Sequence, residues 1–324
     1  MTRRILLTTA VALAACSTAL AGASAPPSVA FHVQVGRGAG VPAVDVGAVW
    51  VPNTKDGSVS RVDPRTHKVV KTIHLGAGPR FTGYLDSAVV AGGSVWVARD
   101  AGDEVDRIDP KTNRLAARIK VDSRPGGLAA GAGNYVWAFH VLGPYVTRID
   151  AATGAKTVFT VTGAQGTGIA ATGDAVWLLT ASPSSLVKLD PQTGDVLARV
   201  AVTPAAAPKH GIVDTWWVAA GGGSLWLANA NYDRVTRVDA ASAKVVASIP
   251  VPEQIPFGVA WYGNAAWVAG AGKVARIDPA TNRVAGVATL SARSQPVFTQ
   301  VAAGPAGLWA TDYDQGVLYK LRLS

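Results

Sequence analysis

Two neighbouring segments decide the fold: Gly93-Ser94-Val95-Trp96-Val97-Ala98 and, after a short polar gap, Val105-Asp106-Arg107-Ile108-Asp109-Pro110-Lys111-Thr112-Asn113-Arg114. The pattern V-W-V-A followed by V-x-R-I-D-P-x-T recurs along the chain. Seven tryptophans lead the copies, at spacings of 40 to 49 residues: Trp50, Trp96, Trp137, Trp177, Trp226, Trp267 and Trp309. Such a period, built from strand-like segments, is typical of one four-stranded blade of a β-propeller. The sequence therefore predicts an all-β protein with a single seven-bladed propeller.

Each repeat contains four strand signals. The segment before the tryptophan, as in Gly168-Ile169-Ala170-Ala171, predicts the innermost strand A. V-W-V-A predicts strand B, V-x-R-I-D strand C and V-V-x-x-I strand D, because apolar and polar residues alternate in them. Asp63-Pro64-Arg65-Thr66 and its equivalents predict a type I turn between C and D. Because the Trp and Asp recur in every blade, we interpret them as structural.

The two ends of the chain complement each other. Phe31-His32-Val33-Gln34-Val35-Gly36 resembles the D strand Lys71-Thr72-Ile73-His74-Leu75-Gly76, yet it precedes the first tryptophan. The last repeat stops one strand short at Ser324. We therefore expect the N-terminal strand to complete the last blade, which would remove two exposed sheet edges.

Composition narrows the class of protein. Of 324 residues, 49% are hydrophobic and only 16% are charged, which favours a globular chain over a disordered one. The formal charge of +9 fits an anionic envelope polymer or lipid headgroups as partners. No basic run interleaved with aromatic residues occurs, so nucleic acid is not expected. The basic residues before I-D are interpreted as solvated strand positions, and the chain is predicted to be a monomer.

The N-terminus has the features of an export signal. Arg3 and Arg4 precede an apolar run, Ile5 to Ala15, that is too short for an ordinary membrane-spanning helix. Leu13-Ala14-Ala15-Cys16 resembles the lipobox of bacterial lipoproteins. That resemblance implies a signal peptide over residues 1–15 and acylation of Cys16. The Ala-, Ser-, Gly- and Pro-rich composition that follows predicts a flexible tether over 16–29, and the repeats predict the propeller over 30–324. The alternative is cleavage after Ala23-Ser24-Ala25, with Cys16 lost; both alternatives predict export.

Candidate binding residues lie where the repeats differ. In propellers this is the face that carries the D–A and B–C loops. The longest D–A loop enters the fifth blade, and two tryptophans outside the repeat position follow it. Aromatic side chains close to polar groups favour a small-molecule pocket. The predicted ligand-binding residues are Arg124, Gln165, His210, Trp216, Trp217 and Gln295. The alternative is that the tryptophans pack in strand A and His210 is an ordinary loop residue.

The sequence assigns no catalytic residue and no cofactor. The only cysteine, Cys16, lies in the leader or carries lipid, and no HExxH, Walker or nucleophile-elbow motif is present. His140 and His210 are the two histidines expected in loops at the channel mouth. Aspartates and asparagines of the B–C loops could bind a hard cation. They are also ordinary turn residues, so no metal site is predicted.

The repeats resemble the bacterial YVTN and streptogramin-lyase-like (virginiamycin B lyase-like) propellers over residues 30 to 324. The resemblance is carried by V-W-V-A and by segments such as Val274-Ala275-Arg276-Ile277-Asp278-Pro279-Ala280-Thr281-Asn282-Arg283-Val284. The lyases of this family linearise cyclic antibiotic lactones with magnesium and a cluster of histidines and glutamates. This chain has only two glutamates, Glu104 and Glu253. His210 with Glu253 is the nearest counterpart, and His210 would be the catalytic residue.

These observations predict an exported, lipid-anchored propeller that acts as a non-enzymatic binding module of the cell envelope. Its partner would be a small molecule, an envelope polymer or an envelope protein. One alternative is a magnesium-dependent lyase of the virginiamycin B type, a carbon–oxygen lyase. A second alternative is a scaffold that assembles envelope proteins.

Overall fold

A computed structural model describes residues 25–76, 87–99, 102–181, 183–211, 217–252, 255–290 and 298–323. The described chain is almost entirely β and forms seven four-stranded antiparallel sheets, one per repeat. From the innermost strand outward, the blades are β2 (Ala43–Asp45), β3 (Ala48–Asn53), β4 (Ser58–Asp63) and β5 (Lys68–His74); β6 (Ala88–Ala91), β7 (Ser94–Arg99), β8 (Glu104–Asp109) and β9 (Arg114–Lys120); β10 (Pro125–Ala130), β11 (Tyr135–His140), β12 (Tyr145–Asp150) and β13 (Lys156–Thr160); β14 (Gly166–Ala171), β15 (Val176–Ala181), β16 (Ser184–Leu189) and β17 (Val196–Ala201); β18 (Trp217–Gly221), β19 (Ser224–Asn229), β20 (Arg234–Asp239) and β21 (Lys244–Pro250); β22 (Gly258–Tyr262), β23 (Ala265–Gly270), β24 (Lys273–Asp278) and β25 (Arg283–Thr289); and β26 (Thr299–Gly304), β27 (Gly307–Asp312), β28 (Val317–Arg322) and β1 (Ser28–Gln34). The prediction of a seven-bladed propeller is confirmed.

The seventh blade takes its outer strand from the beginning of the chain. β1 pairs antiparallel with β28, with Ser28 opposite Arg322 and Gln34 opposite Val317. Phe31 of β1 also stacks on His67 of the first blade, with ring centroids 3.5 Å apart. The two ends of the described chain therefore meet in one sheet.

The hydrophobic core lies between the blades. Each repeat tryptophan is fully buried, and it packs against the following blade. Trp50, for example, belongs to one cluster with Val95 and Val97 of the second blade. Truncating such a side chain costs about 3–5 kcal/mol, which explains why a tryptophan is present in every repeat.

Basic residues of the third strand, strand C, form contacts between neighbouring blades. The guanidinium of Arg61 lies 5.1 Å from the Trp50 ring, and its Nη1 donates to Pro110 O at 3.1 Å in the C–D turn of the second blade. Four more blades repeat this arrangement, through Arg107 to Ala152 O, Arg148 to Pro191 O, Lys188 to Ala240 O and Arg237 to Pro279 O. The expectation of solvated positions is therefore wrong. Stacking on tryptophan and hydrogen bonding to carbonyls hold these cations half-buried.

The C–D turns have the predicted chemistry. In the first blade, Asp63 Oδ1 accepts a hydrogen bond of 2.8 Å from the Arg65 amide. The equivalent aspartates Asp109, Asp150, Asp190 and Asp278 accept from the amide two residues on. These backbone hydrogen bonds lower the pKa of the aspartates.

In the described residues, no helix is long and apolar enough to cross a bilayer.

Candidate ligand-binding site at the central cavity

A cavity of about 400 Å³ occupies the propeller axis. All seven inner strands contribute to its wall, through residues such as Ala43, Val89, Leu128, Ile169 and Val301. Within the described sheets, each inner strand pairs with the second strand of its own blade. Its other edge faces the axis, where some backbone groups are bonded to the neighbouring blade: Ala88 N donates to Val41 O and Leu128 N to Ser87 Oγ, both at 2.9 Å. The wall therefore combines aliphatic side chains with backbone hydrogen-bonding groups, and the volume suits a small ligand.

Trp217 extends across the axis. It is the first residue of β18 in the fifth blade, and it lines the cavity. Its Cη2 lies only 3.1 Å from the position that a Cβ on Gly127 would take, and Gly127 belongs to the third blade. The indole ring thus spans from its own inner strand to an inner strand two blades away. Of the two tryptophans predicted for the site, Trp217 is brought to the cavity.

The cavity is more open at the end with the A–B turns. Along six of the seven inner strands, exposure rises from the D–A end to the A–B end; in β18 the first residue, Trp217, is already half-buried. Ala88 and Leu128 are buried, whereas Val90 is half-buried and Ala130 is exposed. Trp217 lies at the D–A end, which the sequence predicted to bind ligand. The cavity is therefore a funnel with Trp217 at its narrower end.

His210 is part of a polar cluster on the D–A and B–C face. Its Nε2 donates to Asp233 Oδ1 at 2.8 Å, and the neighbouring Lys209 Nζ lies 3.0 Å from Asp233 Oδ2. Asn231 Oδ1 accepts from the amides of His210 and Gly211, both at 2.9 Å. The loop before the fifth blade is thereby folded onto the B–C loop of that blade. His210 does not line the cavity.

The charge on Asp233 is stabilised by this cluster. Burial alone would raise the pKa of the carboxyl, but hydrogen bonds from His210 and Lys209, together with their positive charge, outweigh burial and lower it. Asp233 also has a left-handed backbone, with φ of 50°. A residue with a branched Cβ would be strained there. Asp233 could not be paired with His210 from the sequence, because the two residues lie 23 positions apart in different loops.

Arg124 and Gln165 meet at the backbone of Val141. The Val141 amide donates to Arg124 O at 2.9 Å, and Gln165 Nε2 donates to Val141 O at 3.1 Å. The structure therefore brings the backbone carbonyl of Arg124 and the side-chain amide of Gln165 to the same residue, at the junction of the third and fourth blades. The Gln165 amide serves a loop contact in this arrangement. Trp216, Gln295 and Cys16 lie outside the described residues.

His140 does not lie in a loop, contrary to the expectation from the sequence. It is the last residue of β11 and is fully buried. Its Nδ1 lies 2.7 Å from Ser123 O and therefore carries the proton, while Nε2 accepts from Thr147 Oγ1 at 2.7 Å. Burial lowers the pKa of the imidazole, which favours the neutral form. His140 is a structural residue.

Buried polar pairs join strands B and C beneath the D–A and B–C face. Besides His140 with Thr147, Asn53 Nδ2 donates to Ser60 Oγ at 2.9 Å, and Thr236 Oγ1 donates to Asn229 Oδ1 at 2.8 Å. In the second blade the equivalent positions are occupied by Arg99 and Asp106, with Arg99 Nη1 3.4 Å from Asp106 Oδ2. These pairs were not predicted from the sequence. The signal was a polar residue three positions after the tryptophan in six of the seven repeats: Asn53, Arg99, His140, Thr180, Asn229 and Asp312.

The described residues do not fit a magnesium site. No group of three His, Cys, Asp or Glu side chains suited to a metal occurs among them. The oxygens of Asp233, the carboxylate beside His210, already bind His210 and Lys209. An ammonium group at 3.0 Å would also repel a divalent cation. Glu253 lies outside the residues that the structure describes.

Solved structures share this architecture, whereas no family model and no curated protein sequence matches the chain. A streptogramin B lyase superposes with a TM-score of 0.75 at 17% identity, over 93% of this chain and 99% of that one. Virginiamycin B lyase from Staphylococcus aureus gives 0.72 at 18% identity, over 91% and 99%. Hydrazine synthase from Kuenenia stuttgartiensis gives 0.69 at 16% identity, over 91% and 98%. Identities this low show the fold alone. The resemblance noted in the repeats is therefore confirmed for the fold, which this chain shares with the streptogramin B lyases.

Proposed function

We propose that this protein is an exported, lipid-anchored binding module of the cell envelope that holds a small, partly apolar molecule in its central cavity without chemical conversion. The observation that carries the proposal is Trp217, which spans the narrow end of a cavity of about 400 Å³. An aromatic face beside aliphatic walls favours a ligand with a flat apolar part. The backbone edges of the inner strands provide hydrogen bonds for its polar groups.

The export and the anchor are supported by the sequence. The basic residues Arg3 and Arg4, the apolar run after them and the single cysteine after Leu13-Ala14-Ala15 have the order of a lipoprotein leader. Mass spectrometry of the mature protein from its native envelope tests this part directly. A diacylglyceryl group on an N-terminal Cys16 supports the anchor, and an N-terminus at Pro26 excludes it.

The binding site is tested by titrating the full chain with N-phenyl-1-naphthylamine, a neutral aromatic probe. We expect saturable binding at one site, with energy transfer from tryptophan. Trp217→Leu should weaken it at least about tenfold, since the variant loses the stacking surface. Trp261→Leu is the matched control, because Trp261 lines the cavity at its wider end. If only Trp261→Leu weakens binding, the ligand site is not at Trp217 and the proposal fails.

A magnesium-dependent lyase is the second candidate, favoured by the fold shared with the virginiamycin B lyases. A catalytically inactive variant of the Staphylococcus aureus enzyme has been solved with quinupristin. Incubation of this protein with quinupristin and magnesium, followed by mass spectrometry, separates the two functions. Conversion that is abolished by a chelator and by His210→Ala would establish the lyase. Unchanged quinupristin agrees with a binding module.

A further inference from the structure

The chain enters the propeller at the face that carries the C–D turns. Ser28, at the start of β1, pairs with Arg322 at the end of β28, and third strands such as β28 end at this face. Pro27 is buried and packs beside Gly286 on the outer strand of the sixth blade. Phe31 stacks on His67 in the C–D turn of the first blade. The point of entry is therefore fixed between the sixth, seventh and first blades.

The same side of this face is basic. The C–D turns of the first and second blades expose basic side chains after their prolines, and β28 ends on another. These exposed residues are Arg65, Lys68, Lys111, Arg114 and Arg322. The Arg65 side chain is 91% exposed. The half-buried cations Arg61, Arg107 and Lys320 lie directly behind them.

Three aspartates lie in this sector, too few to cancel its positive charge. Asp63 and Asp109 are held in their turns by backbone amides, and Asp45 ends the inner strand of the first blade. Across the ring the sign reverses at the fourth blade. Its turns carry Asp174, Asp190 and Asp195, and the cations beside them are the half-buried Lys188 and Arg148, which donates to Pro191 O. The C–D turns of the third, fifth and sixth blades each expose one basic residue, Lys156, Lys244 or Arg283, beside one aspartate. Exposed positive charge on the C–D face is therefore densest on the first and second blades, and the chain enters the propeller on that side.

From this coincidence we infer that the C–D turns of the first and second blades, with Arg322 of the seventh, rest on an anionic lipid surface. Basic residues are attracted to an anionic bilayer when they lie within a Debye length of it, roughly 8–10 Å. A basic patch beside a lipid group gives the two attachments that stable membrane binding requires. This orientation extends the proposed function, because it places the propeller relative to the proposed lipid anchor. The basic surface itself does not require the anchor. The propeller is then tilted, with its first, second and seventh blades nearest the membrane. Trp217 and His210 face away from the membrane.

The test measures binding of the full chain to phosphatidylcholine vesicles, with and without about a third of phosphatidylglycerol. We expect tighter binding to the anionic vesicles and loss of that gain at roughly 0.5 M salt. Arg65→Glu/Lys111→Glu/Arg114→Glu should lower the partition coefficient for anionic vesicles at least about tenfold. The matched control, Arg37→Glu/Lys55→Glu/Lys120→Glu, makes the same charge change at the opposite face and should retain most of the gain. Circular dichroism verifies that both variants are folded.

Repeating the measurement with Cys16→Ser separates the surface from the anchor. We expect Cys16→Ser alone to keep the preference for anionic vesicles. If adding the three turn substitutions to Cys16→Ser removes that preference, the basic surface binds lipid whether or not Cys16 is acylated. Equal losses in the turn variant and the control overturn the inference, because net charge alone would then explain binding. Retention on immobilised heparin through the same turns, without any preference for anionic vesicles, would also overturn it in favour of a soluble polyanion.

Discussion

Arg61 Nη1, in the first blade, donates a hydrogen bond of 2.6 Å to Asn113 Oδ1 in the C–D turn of the second. Asn113 has a left-handed backbone, with φ of 57°, which asparagine tolerates better than most residues. The same guanidinium covers the Trp50 ring. One side chain thus connects the aromatic centre of its own blade with the turn of the next. Arg237 makes the equivalent bond to Asn282, at 2.9 Å.

Arg61→Ala should lower the free energy of unfolding by about 1–3 kcal/mol. The variant loses charge-assisted hydrogen bonds to the next blade and a cation–π contact. Urea denaturation followed by tryptophan fluorescence measures the change. Arg65→Ala is the control, since that side chain is 91% exposed and should cost less than about 0.5 kcal/mol. Equal effects of the two substitutions would contradict the role of Arg61 as an inter-blade contact.

Gly221→Ala should destabilise the fifth blade. A Cβ at Gly221 would collide with the Trp261 ring, which stacks 5.8 Å from Trp226. We expect a loss of about 1–3 kcal/mol from overpacking. In a Trp261→Ala background the cost of Gly221→Ala should largely disappear, and a double-mutant cycle measures this coupling. Gly173→Ala, at the A–B turn of the fourth blade where a Cβ meets nothing, should be tolerated.

Asp106 should make a pH-dependent contribution to stability. Burial raises its pKa to about 6 despite the positive charge of Arg99 and Arg118. The folded protein therefore binds a proton more tightly than the unfolded chain. The stabilisation that this gives is complete below about pH 4 and is lost as the pH rises through 6. Relative to the native protein, Asp106→Asn should be more stable at pH 7.5 than at pH 4.5, as urea denaturation at the two pH values measures.

Asp63→Asn is the matched control for that experiment and should differ from the native protein by nearly the same amount at pH 4.5 and pH 7.5, because both values lie above the ordinary pKa of aspartate. The backbone amide of Arg65 lowers the pKa of Asp63. Its charged form therefore stabilises the folded state above the unfolded pKa, and the contribution disappears as the pH falls. Identical pH trends for the two variants would contradict the assignment of Asp106 as the group that titrates near pH 6.

The contact of His210 with Asp233 should order the loop that enters the fifth blade. Asp233→Asn removes the charge to which His210 and Lys209 are bonded. We expect faster hydrogen–deuterium exchange of the amides of residues 209–211, with unchanged exchange in the blades. Asp314→Asn, on an exposed B–C loop of the seventh blade, is the control. Unchanged exchange at residues 209–211 in Asp233→Asn would show that Asn231 alone holds the loop.

The same pair should respond to acid. Because Asp233 has a lowered pKa, its contribution to stability is present above the ordinary carboxyl pKa and is lost as the pH falls through the lowered value. The difference in free energy of unfolding between the native protein and Asp233→Asn should therefore shrink below about pH 4. Acid titration of both proteins, followed by circular dichroism, measures it.

The repeat by itself determined the blade number, the four strands of a blade and the C–D turns. This was possible because period-2 alternation and turn chemistry act between residues that are close along the chain. The repeated tryptophans and aspartates could be recognised as structural for the same reason. The role of the strand C cations was misjudged. Alternation places Arg61 on a strand face, but its partner Asn113 lies 52 residues away in the next blade.

Contacts between the candidate residues became visible in the three-dimensional structure. His210 and Trp217 are close in sequence, yet His210 turns to Asp233 on the loop face, whereas Trp217 crosses the axis toward Gly127. A residue's position around a closed ring depends on the packing of all seven blades, which local pattern does not encode. The sequence therefore determined what every blade shares. Which of the blade-specific residues line the common cavity depends on closure of the ring, because residues of opposite blades approach each other across the axis only in the closed ring.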